Sequence, residues 1–493
     1  MQTQREVERV FALEPDADVP DLAQMAGVAR VGEPRIHELS AMYVDTAGLA
    51  LTRAGVSLRR RTGGADDGWH LKVPVGEDRD EIRAPLGRSG TTARLAMRRA
   101  VLAWTRGDPL EEVALLETHR TIIDLYDSNG VVLAEVADDR VVGIPIDSPP
   151  VRWRELEVEL ADGDPGLLDD IAEWLTGHGI RPSDSPRKIA VVLAGRLGGP
   201  VLTTEPGTAG AVLHQRLTEQ VTELLRRDSE VRRRVPDGVH QVRVTCRRLR
   251  AALATFRPLL DREVTEPIRE ELRWVAHTLG AVRDAEVMHQ RLRDLLDEET
   301  RATVVGPVRR RLRSTYVEQE RIGLQAADEL LGSARYFALL ASLDALVADP
   351  PWTGAAGDDA KEMLRRRLRK ERKRVRRRVE ASRTLTHDGE AEAYDTALHD
   401  VRKTAKRFRY AAEAAEPVLG KRAREQLKTA KQLTQVLGER QDTSVTRADL
   451  MRIGRAADEA GENTFTYGRL HAREQGRGLE LEREFARHWQ KLS

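Results

Sequence analysis

The sequence predicts a two-domain α+β protein in which a largely antiparallel β-domain precedes an all-helical region. The chain has 493 residues, which is too many for one ordinary domain. Short runs of alternating polar and apolar residues occupy the first 200 positions, and helical spacing of apolar residues replaces them afterwards. Charge divides at the same place, because residues 1–200 hold 24 Lys and Arg against 34 Asp and Glu, and the remainder hold 57 against 46. The acidic half suits cations and the basic half suits anions.

Composition restricts the class of protein. Hydrophobic residues make up 40% of the chain, which is enough for packed cores. No apolar run approaches the length that spans a bilayer, and the first residues, MQTQREVERVF, lack an apolar signal-peptide stretch. The chain carries a single cysteine. We therefore expect a cytoplasmic protein without structural disulfides and without a membrane partner.

The β-domain is predicted from seven strand-like runs, many of them separated by Gly, Asp or Pro. These runs are REVERVFAL, VSLRRRT, WHLKVPV, DEIRAPL, TIIDLYD, GVVLAEVADDRVVG and RWRELEVEL. Helical patterns interrupt them at about 91–105 and 165–178. The Gly-, Pro- and Thr-rich segment 197–210 then predicts a linker, so the β-domain is expected at 1–200 and the helical domain at 209–493.

The helical domain repeats itself. HQVRVTCRRLR at His240–Arg250 matches HDVRKTAKRFR at His399–Arg409, with the interruption VADPPWTGAAGDD at 347–359 between them. The glycine of LGAVRDAEV follows the first histidine by 40 residues, and the glycine of LGERQDTSV follows the second by 39. Two ordered matches at nearly equal separation predict a tandem duplication, about 209–346 and 360–493, folded as two antiparallel helical bundles related by a pseudo-two-fold axis.

Each repeat places four cationic or donor groups within an arc of about 80° on one helix face. The first stripe is His240, Arg243, Arg247 and Arg250, and the second stripe is His399, Arg402, Lys406 and Arg409. Such groups repel one another unless an anion lies along them, and guanidinium groups suit phosphate oxygens. Aspartates in the LG motifs, Asp284 and Asp442, are interpreted as orienting neighbouring arginines or capping helices.

A third stripe lies between residues 365 and 378, where eleven of fourteen residues are Arg or Lys. It consists of Arg365, Arg369, Arg372 and Arg376, beside an apolar face of Leu364, Leu368, Val375 and Val379. Solvated helix surfaces balanced by glutamates elsewhere are the alternative interpretation of all three stripes. The preserved spacing of histidine and bases in the two repeats favours a groove for a linear, repeating anion.

These motifs resemble the CHAD family, the conserved histidine α-helical domain. The resemblance covers about 209–493 and rests on the two histidine motifs, on LRWVAHTLGAVRD at 272–284 and on HDVRKTAKRFRYAAE at 399–413. It implies a helical fold whose basic surface binds inorganic polyphosphate, without catalysis in this half. All twelve residues of the three stripes are the predicted polyphosphate-binding set.

Carboxylates cluster at both ends of the β-domain. Glu6 and Glu8 are two apart on a strand and point to one side, and the acidic run Glu155, Glu157 and Glu159 repeats this arrangement. Intervening strands carry bases that share faces, namely Arg59 with Arg61, His70 with Lys72, and Arg79 with Glu81 and Arg83; Arg120 and Lys188 come later. A barrel lumen with acids on one wall and bases elsewhere could hold a triphosphate with Mg²⁺ or Mn²⁺. An exposed face with alternating charges is the alternative.

The order of elements over about 1–200 resembles the CYTH family of triphosphate tunnel metalloenzymes. The supporting segments are REVERVF, YVDTAGLALTRAGVSLRRR, WHLK, RDEIRAPL, THR, WRELEVEL and SPRKIA. The family implies an eight-stranded tunnel, a divalent metal, and binding or hydrolysis of triphosphates. On this basis the predicted catalytic residues are Glu6, Glu8 and Lys72, the triphosphate-binding residues are Arg59, Arg61, Arg79, Arg120 and Lys188, and the metal ligands are Glu6, Glu8, Glu157 and Glu159.

One position departs from the family pattern. The family opens with Glu-x-Glu-x-Lys, and Val10 stands here in place of the lysine. Two functions therefore remain open. The first is a polyphosphate-binding protein whose tunnel hydrolyses triphosphates with a divalent metal, and the second is a non-catalytic polyphosphate-binding or granule-targeting protein. Nucleic acid is a less favoured partner, since few aromatic residues are present for base stacking.

Overall fold

The computed structural model describes residues 2–64, 66–76, 78–86, 91–185, 187–198, 204–383 and 391–490. The chain divides into two compact units, Met1–Pro200 and Val201–Ser493. The first unit holds an antiparallel sheet with helices and the second is helical, which confirms the predicted fold class. Part of the predicted linker, residues 199–203, lies outside the described residues.

The first unit contains eleven strand segments and six α-helices within its described residues, besides a 3-10 helix at Leu22–Gln24. The strands are β1 Gln2–Glu6, β2 Glu8–Leu13, β3 Arg30–Val31, β4 Arg35–Asp45, β5 Ser57–Thr62, β6 Gly68–Val75, β7 Asp78–Ala84, β8 Glu111–Tyr126, β9 Val132–Pro145, β10 Val151–Leu160 and β11 Arg181–Pro182. The helices are α1 Ala50–Arg53, α2 Thr91–Ala100, α3 Leu102–Thr105, α4 Gly166–Gly177, α5 Lys188–Val192 and α6 Ala194–Leu197.

The first chain segment joins both ends of the curled sheet. The strand order is β1-β7-β6-β5-β4-β8-β9-β10-β2-β11, yet β1 and β2 are consecutive in the chain and are separated by Val7 alone. β1 pairs with β7 and β2 pairs with β10, and the Leu160 N–H donates to the Val7 carbonyl oxygen at 2.9 Å. With β1 and β2 taken as one interrupted strand and the two-residue β3 and β11 set aside, the described sheet has eight longer strands, as the CYTH resemblance implies.

Apolar side chains on the outer face of the sheet leave the inner face to charged residues. Along β10, Leu156 and Val158 are buried in a hydrophobic cluster with α4, which contributes Leu168, Ile171 and Leu175. Because side chains alternate along a strand, Glu155, Glu157 and Glu159, which alternate with these two residues, point to the other face. The amphipathic sequence of β10 thus builds a core on one side and an acidic wall on the other.

The sequence prediction missed β4 and the first half of β8. In β4 the last residues, Tyr43, Val44 and Asp45, are all buried, so the polar–apolar alternation is lost there. A hydrophobic cluster that includes Ile189 and Val192 of α5 covers this part of the sheet. Burial on both faces removes the period-two signal on which the prediction depended.

The second unit contains ten α-helices among its described residues. They are α7 Ala209–Arg232, α8 Gly238–Thr255, α9 Arg262–Thr278, α10 Gly280–Asp297, α11 Val308–Leu331, α12 Ala334–Ala348, α13 Ala360–Ser382, α14 Ala391–Leu419, α15 Lys421–Glu459 and α16 Phe465–Gln490. The first LG motif lies at the break between α9 and α10, whereas the second lies inside the continuous helix α15. No single described helix is long and apolar enough to cross a membrane; α11 and α12 pass that test only as a pair bent by 56°.

Candidate functional site

A cavity of about 360 Å³ is lined by the inner face of the sheet, and we call it the tunnel cavity. It contains nine of the ten predicted tunnel residues, which are Glu6, Glu8, Arg59, Arg61, Lys72, Arg120, Glu157, Glu159 and Lys188. The tenth, Arg79, is not among the lining residues, and its guanidinium contacts the Glu8 carboxylate. The alternating charges therefore face a shared interior, and the interpretation of these charges as an exposed outer face does not hold.

Lys188 lies among three carboxylates of the cavity wall. Its ammonium is 2.9 Å from Asp139 and directly contacts Glu155 and Glu157. Carboxylate oxygens of these three acids lie within 4.8 Å of one another, as in a metal site. Burial opposes the charge on Lys188, but the three acids raise its pKa well above the ordinary value. This cluster therefore already has a cation at its centre.

The predicted metal ligands differ in how far their charges are balanced. Glu6 is 2.6 Å from the Lys72 ammonium, Glu8 contacts Arg79, and Glu157 contacts Lys188. Glu159 has no ion pair among the residues that the structure describes, and it is half-buried.

Burial and the nearby charges of Glu6, Glu8 and Glu157, partly offset by Lys72, raise the pKa of Glu159 to about 7. An under-compensated group of carboxylate oxygens is the donor set that a hard divalent cation requires, so the residues present fit such an ion.

The opposite wall is cationic. Arg59 donates to the Tyr43 hydroxyl at 3.0 Å, and Arg120 donates from Nε to Asp139 at 2.7 Å and also contacts Glu157. Burial lowers the pKa of Arg61, and the charges of Arg59 and Arg120 lower it further. These three guanidinium groups repel one another. Together they form a site for an anion that has several oxygen atoms.

Several cavity residues were absent from the predicted set. They are Gln4, His37, Asp66, Glu81, Arg83 and Glu135, which line the cavity, and Asp139, which is fully buried behind Arg120 and Lys188. Strand alternation already groups Glu81 and Arg83 with Arg79 on one face of β7, but only Arg79 was assigned to the site. Asp66 lies in a turn and Asp139 in a strand with acids at consecutive positions, so alternation gives no signal for either.

Val10 occupies the third position of the Glu-x-Glu-x-Lys pattern and is 6% exposed. It pairs in register with Glu157 of β10, the acid that both Lys188 and Arg120 contact. The carboxylate opposite the missing lysine is therefore already neutralised by cations from α5 and β8.

In the helical unit, the first and second stripes meet on one surface. All eight of their residues are half-buried, and α8 contacts α14 through an ion pair of 3.2 Å between Arg248 and Glu413. The charge of Arg247 lowers the pKa values of both Arg402 and Lys406. Within the described part of the chain, Arg247, Arg402 and Lys406 have no ion-pair partner within 4.0 Å.

The two repeats build the same contact between a stripe arginine and the glycine of the LG motif. A Cβ on Gly280 would lie 3.5 Å from Arg243 Nη2, and a Cβ on Gly438 would lie 3.5 Å from Arg402 Nη2. Arg243 also donates to Asp284 at 3.2 Å. Asp284 thus orients its neighbouring arginine, in line with the role predicted from the sequence.

The third stripe differs from the other two. Its four arginines are exposed, while the apolar face predicted beside them is buried. Arg376 is paired with Glu380 at 2.8 Å. Among the residues that the structure describes, Arg365, Arg369 and Arg376 form no ion pair with α8 or α14.

Comparison with known proteins gives matches in both units. The model of the CYTH domain matches residues 4–188 and that of the CHAD domain matches residues 215–450. Two uncharacterized proteins, from two strains of Mycobacterium tuberculosis, are each 37% identical over 485 residues, which is 95% of this chain and 92% of theirs.

Similar solved structures cover one unit each. PptA from Streptomyces chartreusis is 25% identical over 57% of this chain and 99% of its own, with a TM-score of 0.48. The CHAD domain from the plant Ricinus communis is 22% identical over 59% and 94%, with a TM-score of 0.45. A putative adenylyl cyclase from Hippeastrum, described as having a dominant triphosphatase activity, is 16% identical over 39% and 95%, with a TM-score of 0.26.

Proposed function

This chain belongs to the CYTH family through residues 4–188 and to the CHAD family through residues 215–450, and we propose that it binds inorganic polyphosphate with its helical unit and hydrolyses triphosphates in its tunnel. CYTH proteins bind triphosphates and depend on a metal. For the tunnel, the observation that carries the proposal is the division of one cavity into two walls. The acidic wall includes Glu159, which has no ion pair among the described residues, and the cationic wall includes Arg59, Arg61 and Arg120.

The two walls have complementary tasks in this proposal. Glu6, Glu8, Glu157 and Glu159 would hold Mg²⁺ or Mn²⁺, and the bound ion supplies positive charge to the phosphate oxygens. The arginines of the cationic wall bind and orient the phosphate chain, because a guanidinium matches two phosphate oxygens at once. Lys72, held 2.6 Å from Glu6, keeps a second cation beside the acids.

Phosphate release from tripolyphosphate, with and without Mg²⁺ or Mn²⁺, tests the tunnel. We expect release only with the ion, and a loss of about tenfold or more in kcat/KM for Arg59→Ala. Arg60→Ala is the matched control, because Arg60 is the next residue of β5 and is exposed. Equal activity in both variants would remove the cationic wall from the function.

For the helical unit, the proposal is carried by the convergence of Arg247, Arg402 and Lys406, which have no ion-pair partner among the residues that the structure describes. Half-buried like charges destabilise a surface unless an anion compensates them, and a linear polyanion can contact both stripes at once. Titration of the whole protein with long-chain polyphosphate, in competition with duplex DNA, tests this function. Preferential displacement by DNA would favour nucleic acid instead.

A second candidate is a non-catalytic protein in which both units only bind phosphate chains, for instance at polyphosphate granules. Two features favour it: Val10 stands where the family pattern has a cation, and the ammonium of Lys188 is engaged by three acids of the wall. Tripolyphosphate binding without release at any concentration of either metal would establish this alternative.

A further inference from the structure

The turn between β5 and β6 carries an acid into the tunnel cavity. Gly63 follows β5 with φ +95°, and an added Cβ would lie 1.9 Å from the Glu38 carbonyl oxygen of the neighbouring strand. Only glycine fits this close approach, so the path of the turn against β4 is fixed by its first residue. Three residues later, Asp66 lines the cavity.

A buried histidine holds the backbone of Asp66 in place. His70 Nε2 donates to the Asp66 carbonyl oxygen at 2.9 Å, and His70 Nδ1 lies 2.9 Å from Glu81 Oε1. Both His70 and Glu81 are 1% exposed. The position of the acid is therefore set by the core of the sheet and does not depend on its own side chain.

The Asp66 carboxylate occupies two cavity arginines. It contacts Arg61 directly, and it lies 3.6 Å from Arg83 Nη1. Burial opposes its ionisation, but the charges of Arg61, His70 and Arg83 hold the pKa of Asp66 below the ordinary value. Asp66 is thus ionised at neutral pH. Its partner is the Arg61 guanidinium, which the positive charges of Arg59 and Arg120 repel.

We propose that Asp66 is an internal competitor of the ligand, a carboxylate that occupies Arg61 and Arg83 and that an incoming phosphate group displaces. This inference rests on the proposed binding of triphosphates in the tunnel. A ligand with a single carboxylate gains little binding free energy, because its carboxylate only replaces that of Asp66 at the same two arginines. A phosphate group carries more charge and more acceptor oxygens, so the exchange favours it. Asp66 therefore selects for phosphate chains against weaker anions.

Binding of tripolyphosphate to the whole protein, measured by calorimetry in the absence of divalent metal, tests the inference. Removing the competitor with Asp66→Asn should tighten binding by about tenfold, the change that 1.4 kcal/mol produces. Asp67→Asn is the matched control, because Asp67 is the next residue of the same turn, is exposed, and accepts only from the Gly64 N–H at 3.2 Å within the described residues. It removes the same charge and should change the affinity by less than about twofold.

The outcomes separate this inference from the proposed function. If the wild type binds tripolyphosphate and Asp66→Asn binds equally or more weakly, Asp66 is not a competitor and instead supports the turn or the ligand. If both aspartate variants tighten binding equally, general electrostatics explains the gain and the inference fails. Failure of all three proteins to bind tripolyphosphate, both without metal and after addition of Mg²⁺ or Mn²⁺, overturns the proposed tunnel function, and this inference with it.

Discussion

Arg247 of the first repeat lies close enough to Lys406 of the second repeat for its positive charge to lower the pKa of the lysine ammonium. Burial makes the largest contribution to the lowering, the charges of Arg402 and Arg247 follow, and the pKa falls from 10.5 to about 8. Two helices that are 159 residues apart in the duplication thus deliver like charges to one surface. A protein stabilises such an arrangement by binding an anion there.

Polyphosphate affinity should therefore decrease as pH rises through about 8. An anion beside Lys406 raises the pKa of its ammonium. Above pH 8 the free protein has lost this proton, so binding must take up a proton from solution and becomes weaker as pH rises. The free protein should gain stability between pH 8 and 10.5, because the unfolded chain binds more protons than the folded one in this range. Below pH 8 Lys406 is charged in both states, and the full cost of holding that charge in the folded protein remains. Titrations with polyphosphate at pH 7 and pH 9, at constant ionic strength, measure the effect.

Lys406→Arg is the control for this prediction. A guanidinium remains charged at pH 9, so the variant should bind at pH 9 about as tightly as at pH 7. Arginine already occupies the equivalent position of the first repeat, Arg247. An unchanged pH dependence in Lys406→Arg would assign the effect to another group.

Double substitutions should distinguish the three stripes. Changing Arg243 and Arg247 to Ala, or Arg402 and Lys406 to Ala, should weaken binding and flatten its dependence on salt, because fewer phosphates release counterions. Changing the exposed pair Arg365 and Arg369 of the third stripe is the matched control, and we expect a smaller loss. Losses of equal size in all three variants would mean that net charge, and not the surface between α8 and α14, determines affinity.

The charged face of the tunnel could be predicted because strand alternation is a local property. Leu156 and Val158 identify the core face of β10, and the glutamates that alternate with them, Glu157 and Glu159 among them, must then point inward. The same argument fails for Asp139, which is fully buried opposite Glu155 in β9. Its contact with Lys188 depends on strand register and on the position of α5, and neither is encoded in the local pattern.

In the helical half, too, the local pattern predicts some features, and others depend on how the helices pack. The duplication and the faces of its stripes follow from helical periodicity and spacing, which the sequence displays directly. Whether a stripe faces a groove or solvent depends on packing between helices. The third stripe has the strongest charge pattern of the three, and yet its four arginines are exposed. Charge density alone therefore does not predict whether a stripe lies in a groove or faces solvent.

Glu159→Gln should weaken the binding of a divalent ion by at least about tenfold, a loss of about 1.4 kcal/mol. The amide supplies one oxygen but no charge, and Glu159 is the predicted ligand without an ion-pair partner in the described chain. The measurement is the rise in melting temperature with increasing Mn²⁺. Glu173→Gln, an exposed acid on α4, is the control. An equal Mn²⁺ response in both variants would place the ion elsewhere in the tunnel.

Val10→Lys tests whether the departure from the family pattern limits the tunnel. Strand alternation places position 10 on the same side of the chain as Glu8, and its register partner is Glu157. A lysine there adds a cation beside the acidic wall, so we expect KM for tripolyphosphate to fall several-fold, by roughly 1 kcal/mol of added ligand binding. Steady-state kinetics with Mg²⁺ or Mn²⁺ provide the measurement.

The control for position 10 separates charge from size. Val10 is 6% exposed, so a longer side chain should cost about 1–3 kcal/mol of stability whether or not it is charged. Val10→Met should therefore lower the melting temperature as Val10→Lys does and leave KM unchanged. A KM that stays the same in both variants would mean that Arg59, Arg61 and Lys72 already supply the charge that the phosphate chain requires. A lower KM in Val10→Lys alone would show that Lys188, although it neutralises Glu157, does not replace the missing lysine toward the ligand.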